Sequence, residues 1–407
     1  MFTPARIALP VVAAAMVAIL ATPAGALAVR HEDAVCDAMH TFSGPKDESG
    51  KASAIMSGTV DMGTYGTMQL AANPDWADQS TLDLAGNRYQ DSLHWALPLL
   101  REGTRGGAEG QAMTARFVAL LKDWVKDHPA DERGGWLDHP QYGGFRLGTW
   151  VCAQRLLTDA KDRAWVTAQE RIDLAVQLKR FTTAGANNTM LNSQLAAFAA
   201  AQDIGTAVQR EQAQKNIDRL RLRLLNGDGS DIEGAPGYGS YLSQILVRAE
   251  RVLRFYNADE AAAKARQSVD QQGDFLAQAT RPDRYIESIG DGYLRRISSG
   301  VFAEDTAATW VLTSGKQGVE PNRRYSRWQG GYVFRSLGLG EGQGRVLVLL
   351  FVPDLDQGTG DRSPPPGHHW SHVLQQRNQL DRRPWPVPLR HLRPAPLHHP
   401  PGRAQRR

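Results

Sequence analysis

The 407-residue chain, 42% hydrophobic and 22% charged, is long enough for one large domain or for one domain and part of a second. Its formal charge of +4 invites a nucleic-acid partner, but nine Arg, three Asp and no Lys from Leu355 onward contribute +6, leaving −2 on residues 1–354. An acidic body with a basic end excludes a nucleic-acid-binding face as the organising feature.

Residues 1–28, "MFTPARIALPVVAAAMVAILATPAGALA", carry Arg6, an apolar run and small residues in an A-x-A pattern ending at Ala28. That order reads as a secretory signal peptide. Pro10 and Pro23 interrupt a run already short for a membrane span. No later segment is apolar enough to cross a bilayer, so the expected location is secreted, with no membrane association after leader cleavage. Cys36 and Cys152 are the only cysteines; export permits them to pair, but spacing alone does not bring them together.

Residues 29–90 are Gly-, Ser- and Asp-rich with weak periodicity and read as an irregular N-terminal segment. From Asp91 to about residue 325 the pattern is helical. In "QAMTARFVALLKDWVKDH", Phe117, Leu120, Leu121 and Trp124 recur at spacings of three and four on one face. "QERIDLAVQLKRF", "NSQLAAFAAAQ", "YLSQILVRAERVLRFY" and "DEAAAKARQSVDQQGDFLAQA" repeat the theme, with joints such as "NGDGSDIEGAPGYG" between them. Such a series buries its apolar faces by closing or stacking into an all-α array. Over 326–354, "RWQGGYVFRSLG" and "GRVLVLLFV" change to β-strand character and begin a β-domain.

That domain stops abruptly. From Leu355 to Arg407 there is no Phe, Tyr, Ile, Met, Lys or Glu, while six of eleven His and ten of 22 Pro fall there. The run reads either as a disordered Pro/Arg/His tail or as GC-rich coding sequence in the wrong frame. Back-translated and read one nucleotide later, it permits alternating strand patterns, an H-x-H element and W-I-V-D-P-G. The second reading is therefore preferred. His368, His369 and His372 are not expected to hold a metal.

The shifted string resembles the β-domain of heparinase II/III-like polysaccharide lyases. The residues in frame resemble the same family in order: "WLDHPQYGGFRLGTW" (136–150), "ANNTMLNSQLAAFAAA" (186–201), "DGSDIEGAPGYGSYLSQIL" (228–246) and "GYVFRS" (331–336). The likeness covers roughly residues 60–352, and the "DG…E…PGY" segment is its most specific part. It implies a mainly α fold: an incomplete α/α toroid followed by the start of an antiparallel β-sandwich. It also implies β-elimination on an acidic, uronate-containing polysaccharide. No cofactor and no nucleic-acid partner are expected of this chain, and any structural zinc site would sit in the missing sandwich.

That chemistry needs a group to neutralise the uronate carboxylate, a base for the C5 proton and an acid for the leaving oxygen. The resemblance places the catalytic Tyr at Tyr238, with Tyr241 as the alternative, and the carboxylate-neutralising amide at Asn187 or Asn188. A phenol of pKa ~10 in water needs a charged neighbourhood to act as a base. Asn187 and Asn188 either cap a helix or offer donors to a carboxylate. Thr189 stands where the family has a His, which puts one proton-transfer group in doubt. Glu233 matches an acidic position that orders the loop. Trp136, His139, Tyr142 and Arg146 are candidates to line a sugar cleft, or to pack helices.

Without most of the sandwich the chain is expected to be inactive as written. Two other readings remain: a non-catalytic glycan-binding relative, consistent with Thr189, and an inverting glycoside hydrolase using a pair among Asp228, Asp231 and Glu233. Inverting carboxylates stand roughly 6.5–9.5 Å apart across a cleft, which residues this close in one loop achieve poorly.

Overall fold

The computed structural model describes residues 34–39, 48–71, 73–74, 76, 82–133, 139–183, 187–281, 283–289, 295–321, 325–329, 331–337 and 346–351. Residues 1–28, read above as a signal peptide, Trp136 and the run from Leu355 onward lie outside them.

The segment read as irregular carries regular structure. It holds α1 (residues 34–39), α2 (Glu48–Met56), the hairpin β1–β2 (Thr59–Asp61 and Thr67–Gln69, with Val60 opposite Met68) and α3 (Leu84–Asp91). These elements are too short for periodicity to announce them, and they are stable because they pack on the helical body. Val35, Cys36, Ile55, Val60 and Met68 all enter its core.

Four helix pairs follow: α4 (Leu97–Gly103) with α5 (Gly107–Asp127), α6 (Pro140–Leu156) with α7 (Ala160–Thr183), α8 (Asn188–Ile204) with α9 (Ala207–Leu224), and α10 (Pro236–Phe255) with α11 (Asp259–Gln278). The first member of each pair lies inside. In α6 every residue from Tyr142 to Ala153 is buried, and in α8 every residue from Met190 to Ala201. The second members are amphipathic and half-exposed, as α5 and α11 show. The fold is mainly α, an incomplete α/α toroid with a β-sheet after it.

Inner helices approach closely because their sequences are small. A Cβ on Gly144 of α6 would stand 2.5 Å from Ser193 Cα of α8, so only glycine fits there. The "LAAFAAA" stretch of α8 similarly presents methyl groups. Caps set the ends: Asn187 accepts from the Met190 amide, and Thr206 with Gln209 forms a reciprocal capping box on α9.

After α12 (Ala307–Leu312), the strands β3 (Tyr325–Arg327), β4 (Tyr332–Leu337) and β5 (Val346–Phe351) form an antiparallel sheet in sequence order. Tyr332 pairs opposite Phe351 and Leu337 opposite Val346. Trp328, Tyr332 and Phe334 pack on Phe275 and Leu276 of α11 in a second, smaller core that joins sheet to helices.

Candidate functional site

The starts of α8 and α10 lie side by side, joined by a carboxylate. The loop before α10 turns at Gly234 (φ 73°), which brings Glu233 back toward α8. Glu233 accepts two hydrogen bonds from Asn188, from its backbone amide at 3.2 Å and its side-chain Nδ2 at 2.9 Å. A carboxylate on the first amide of a helix is the arrangement the helix dipole favours. Tyr238 follows two residues after Pro236, in the first turn of α10.

One turn further in, the same two helices are joined again. Asn192 donates to the Tyr241 hydroxyl at 2.6 Å, and Arg248 donates to Asn192 Oδ1 at 2.9 Å. Arg248 also hydrogen-bonds Tyr241, which closes a three-residue ring. Burial pushes the Tyr241 phenol above its ordinary value, while Arg248 and the Asn192 donor pull it back. Burial likewise lowers Arg248.

An aromatic wall adjoins this ring. The Tyr65 and Tyr142 hydroxyls meet at 3.1 Å, and Tyr89, His139 and Phe145 stand against Tyr142 at ring separations of 6.5, 5.6 and 5.9 Å. Tyr65 is carried there by the β1–β2 turn and also acts electrostatically on Tyr241, as does Arg295. His94 stacks near Phe145, and burial beside Arg101 and Arg248 lowers it to about 3, so it is neutral. The wall supplies apolar faces with polar tips, the surface that sugar rings stack on.

Several expected residues are placed otherwise. Arg146 does not reach a cleft. It is 2% exposed, its Nε and Nη2 grip Asp173 at 2.7 and 3.3 Å, and its guanidinium lies over Trp124. Trp150 donates to the same carboxylate at 2.6 Å, so Arg146 belongs to a buried ion-pair centre between α6 and α7. His139 caps α6 through the Gln141 amide. Asn187 is the α8 cap and accepts the Thr189 hydroxyl at 2.7 Å.

The three loop carboxylates are each engaged in structure. Asp228 accepts from Ser230 and, at 2.6 Å, from the Gln329 amide of the β3–β4 turn. Asp231 is buried beside Tyr332, with the Ala235 amide donating to it, and burial raises it to about 6. Glu233 holds Asn188. Each of the three is thus tied to a backbone or side-chain partner of its own.

Asn192, Arg248, Tyr65 and Tyr89 were not singled out in the sequence. A usable signal existed for the first two: Asn192 is four residues after Asn188, and Arg248 seven after Tyr241, each on the same helix face as a residue already singled out. Among the described residues no group of three or more His, Cys, Asp and Glu is placed to hold a metal, and no helix is long and apolar enough to cross a membrane.

No family model and no curated protein matches the chain. Solved structures do. The heparan sulfate lyase HepC from Pedobacter heparinus is 14% identical over 80% of this chain and 56% of its own, with a TM-score of 0.57. A structure of heparinase III is 12% identical over 77% of this chain and 54% of its own, with a TM-score of 0.58. A heparinase III gene product gives a TM-score of 0.54 at 14% identity. The chain therefore has a heparinase-like fold, and it spans little more than half the length of the structures it matches.

Proposed function

We propose that this heparinase-like chain is a secreted polysaccharide lyase-like protein whose site handles uronate-containing glycans by β-elimination. The observation that carries the reading is that α8 and α10 are joined twice, by Asn188 with Glu233 at their starts and by Asn192, Tyr241 and Arg248 further in, with Tyr238 in the first turn of α10. These are the residue types elimination requires: amide and cationic donors for a carboxylate that becomes enolate-like, and phenols to move protons. The solved relatives are heparan sulfate lyases and heparinases by name, which supports an acidic polysaccharide as the ligand.

In this scheme Asn188 faces the uronate carboxylate, with Glu233 fixing its amide. Tyr238 and Tyr241 stand one turn apart, and one of them takes the C5 proton. Arg248 and Asn192 both donate toward the Tyr241 oxygen and partly offset the burial that holds its phenol above the ordinary value. Half-buried Tyr65 offers the stacking surface, backed by buried Tyr142. The run from Leu355 onward is read out of frame, so the chain as written is inactive in this scheme. Resequencing the coding region for residues 335–407 tests that point: a shifted frame open beyond the present stop supports it.

The test of the main reading is incubation of the frame-restored protein with alginate, heparan-type and bacterial uronate polysaccharides. Ultraviolet absorbance of a 4,5-unsaturated uronate is the expected product signal. Its absence on every polymer, with the protein folded, rejects the lyase. Binding without that product supports the second reading, a non-catalytic glycan binder. One observation favours the latter: Thr189, at the family's His position, turns its hydroxyl onto Asn187.

A further inference from the structure

The only two cysteines of the chain, 116 positions apart, meet in its core. Both are buried and unbonded, and the Cys152 thiol is close enough to that of Cys36 to act on it. Their helices are in register around that meeting point. Met39, one turn after Cys36, lies over Gly148, one turn before Cys152, where a Cβ would be 3.5 Å from the Met39 side chain. Arg101 of α4 holds the same region from the other side, bonded to Asp37 of α1 at 2.7 Å and to Glu48 of α2 at 3.3 Å.

We propose that Cys36 and Cys152 are a disulfide site that covalently fastens the N-terminal segment to α6. The two S–H bonds break, one Sγ–Sγ bond forms, and two protons and two electrons pass to a disulfide oxidant, which is reduced to two thiols. Oxidised glutathione or a disulfide-donating oxidoreductase of an exporting compartment is such an oxidant. Closure precedes final packing, because burial disfavours the Cys36 thiolate that must attack. Once packed, the bond is shielded from reductants.

The consequence reaches the candidate site. Between the two cysteines the chain makes α2, β1 and β2, and the β1–β2 turn delivers Tyr65 to Tyr142. Tyr142 and Cys152 lie on the same helix, so α6 grips the segment at both ends, by side-chain packing at one and by sulfur at the other. The cross-link keeps the segment that carries Tyr65 close to the aromatic wall. This role rests on the glycan-site reading; the disulfide itself does not.

The full chain, refolded in a glutathione redox buffer and checked for helicity by circular dichroism, is denatured and treated with N-ethylmaleimide. Expected are no labels without prior reduction, two after it, and a peptide joining Cys36 to Cys152 by mass spectrometry. Folded protein that labels twice without reduction, or carries glutathione adducts or intermolecular disulfides instead, overturns the proposal. Limited proteolysis supplies a second readout. The oxidised wild type resists cleavage between residues 40 and 139 better than the reduced form, and C36S/C152S does not change with redox state. Equal protection of oxidised and reduced wild type overturns the fastening role, whatever the outcome of glycan assays.

Discussion

Asn192 donates to Tyr241 across 2.6 Å, and the bond ties the second turn of α8 to the second turn of α10. Both residues are nearly buried, at 5% and 9% exposure, so each depends on the other for a partner that water does not replace. Arg248 makes the pair a ring, which fixes the phenol oxygen without a metal.

Tyr241→Phe keeps the ring's shape and removes the hydroxyl. It is expected to lower stability by about 1–2 kcal/mol, because the Asn192 amide loses its acceptor. In a lyase assay of the frame-restored protein, kcat falls by orders of magnitude while KM changes little. If Tyr238→Phe gives that kinetic loss and Tyr241→Phe does not, the proton-transfer role moves to Tyr238.

Arg146→Met leaves the Asp173 carboxylate buried with the Trp150 donor and the more distant Arg133, 3.8 Å away. Breaking such a pair destabilises by about 3–5 kcal/mol. Urea unfolding measures the loss, and glycan affinity of the still-folded fraction is expected to be unchanged. A selective loss of affinity contradicts the buried placement.

Gly144→Ala places a methyl group 2.5 Å from Ser193 Cα. The two inner helices must separate, at a cost of about 3 kcal/mol. Paired with Ser193→Gly, which leaves that backbone contact in place, the loss is only partly recovered. Thermal unfolding of the single and double variants checks both statements.

Two buried groups give opposite pH dependence. Burial raises the Asp231 carboxyl from 3.8 to about 6, so the native state keeps a proton that the unfolded chain has released over that interval. Its contribution is present in full below the unfolded value and is lost as pH rises through about 6. Burial lowers His94 from 6.5 to about 3, so its contribution is present above the unfolded value and is lost as pH falls. Asp231→Asn removes the first effect alone. Relative to wild type it is expected to gain up to about 3 kcal/mol between about pH 4 and pH 7, read by urea unfolding across that range.

The helical pairs were legible because α5 and α11 carry a periodic apolar face, and β4 because "GYVFRS" alternates. The pairing of Asn188 with Glu233 was not. Residue order supplied both side chains and even the loop-ordering role of Glu233, but a hydrogen bond across 45 positions has no local signature. Arg146 was left open for a related reason. An arginine four residues from Tyr142 on a helix reads equally as a ligand contact or as packing until Asp173, from the next helix, is seen to neutralise it. The segment 29–90 was underestimated because its short elements draw stability from the body they pack against, not from their own composition.

The loop from Asn226 to Ala235 serves two masters. At one end Asp228 receives the backbone of the β3–β4 turn; at the other Glu233 seats Asn188; in the middle Asp231 lies beneath Tyr332. It works as a cantilever, rooted in the sheet and bearing on the first turn of α8, so that a load on the β3–β4 turn passes to the Asn188 amide through one short stretch of chain.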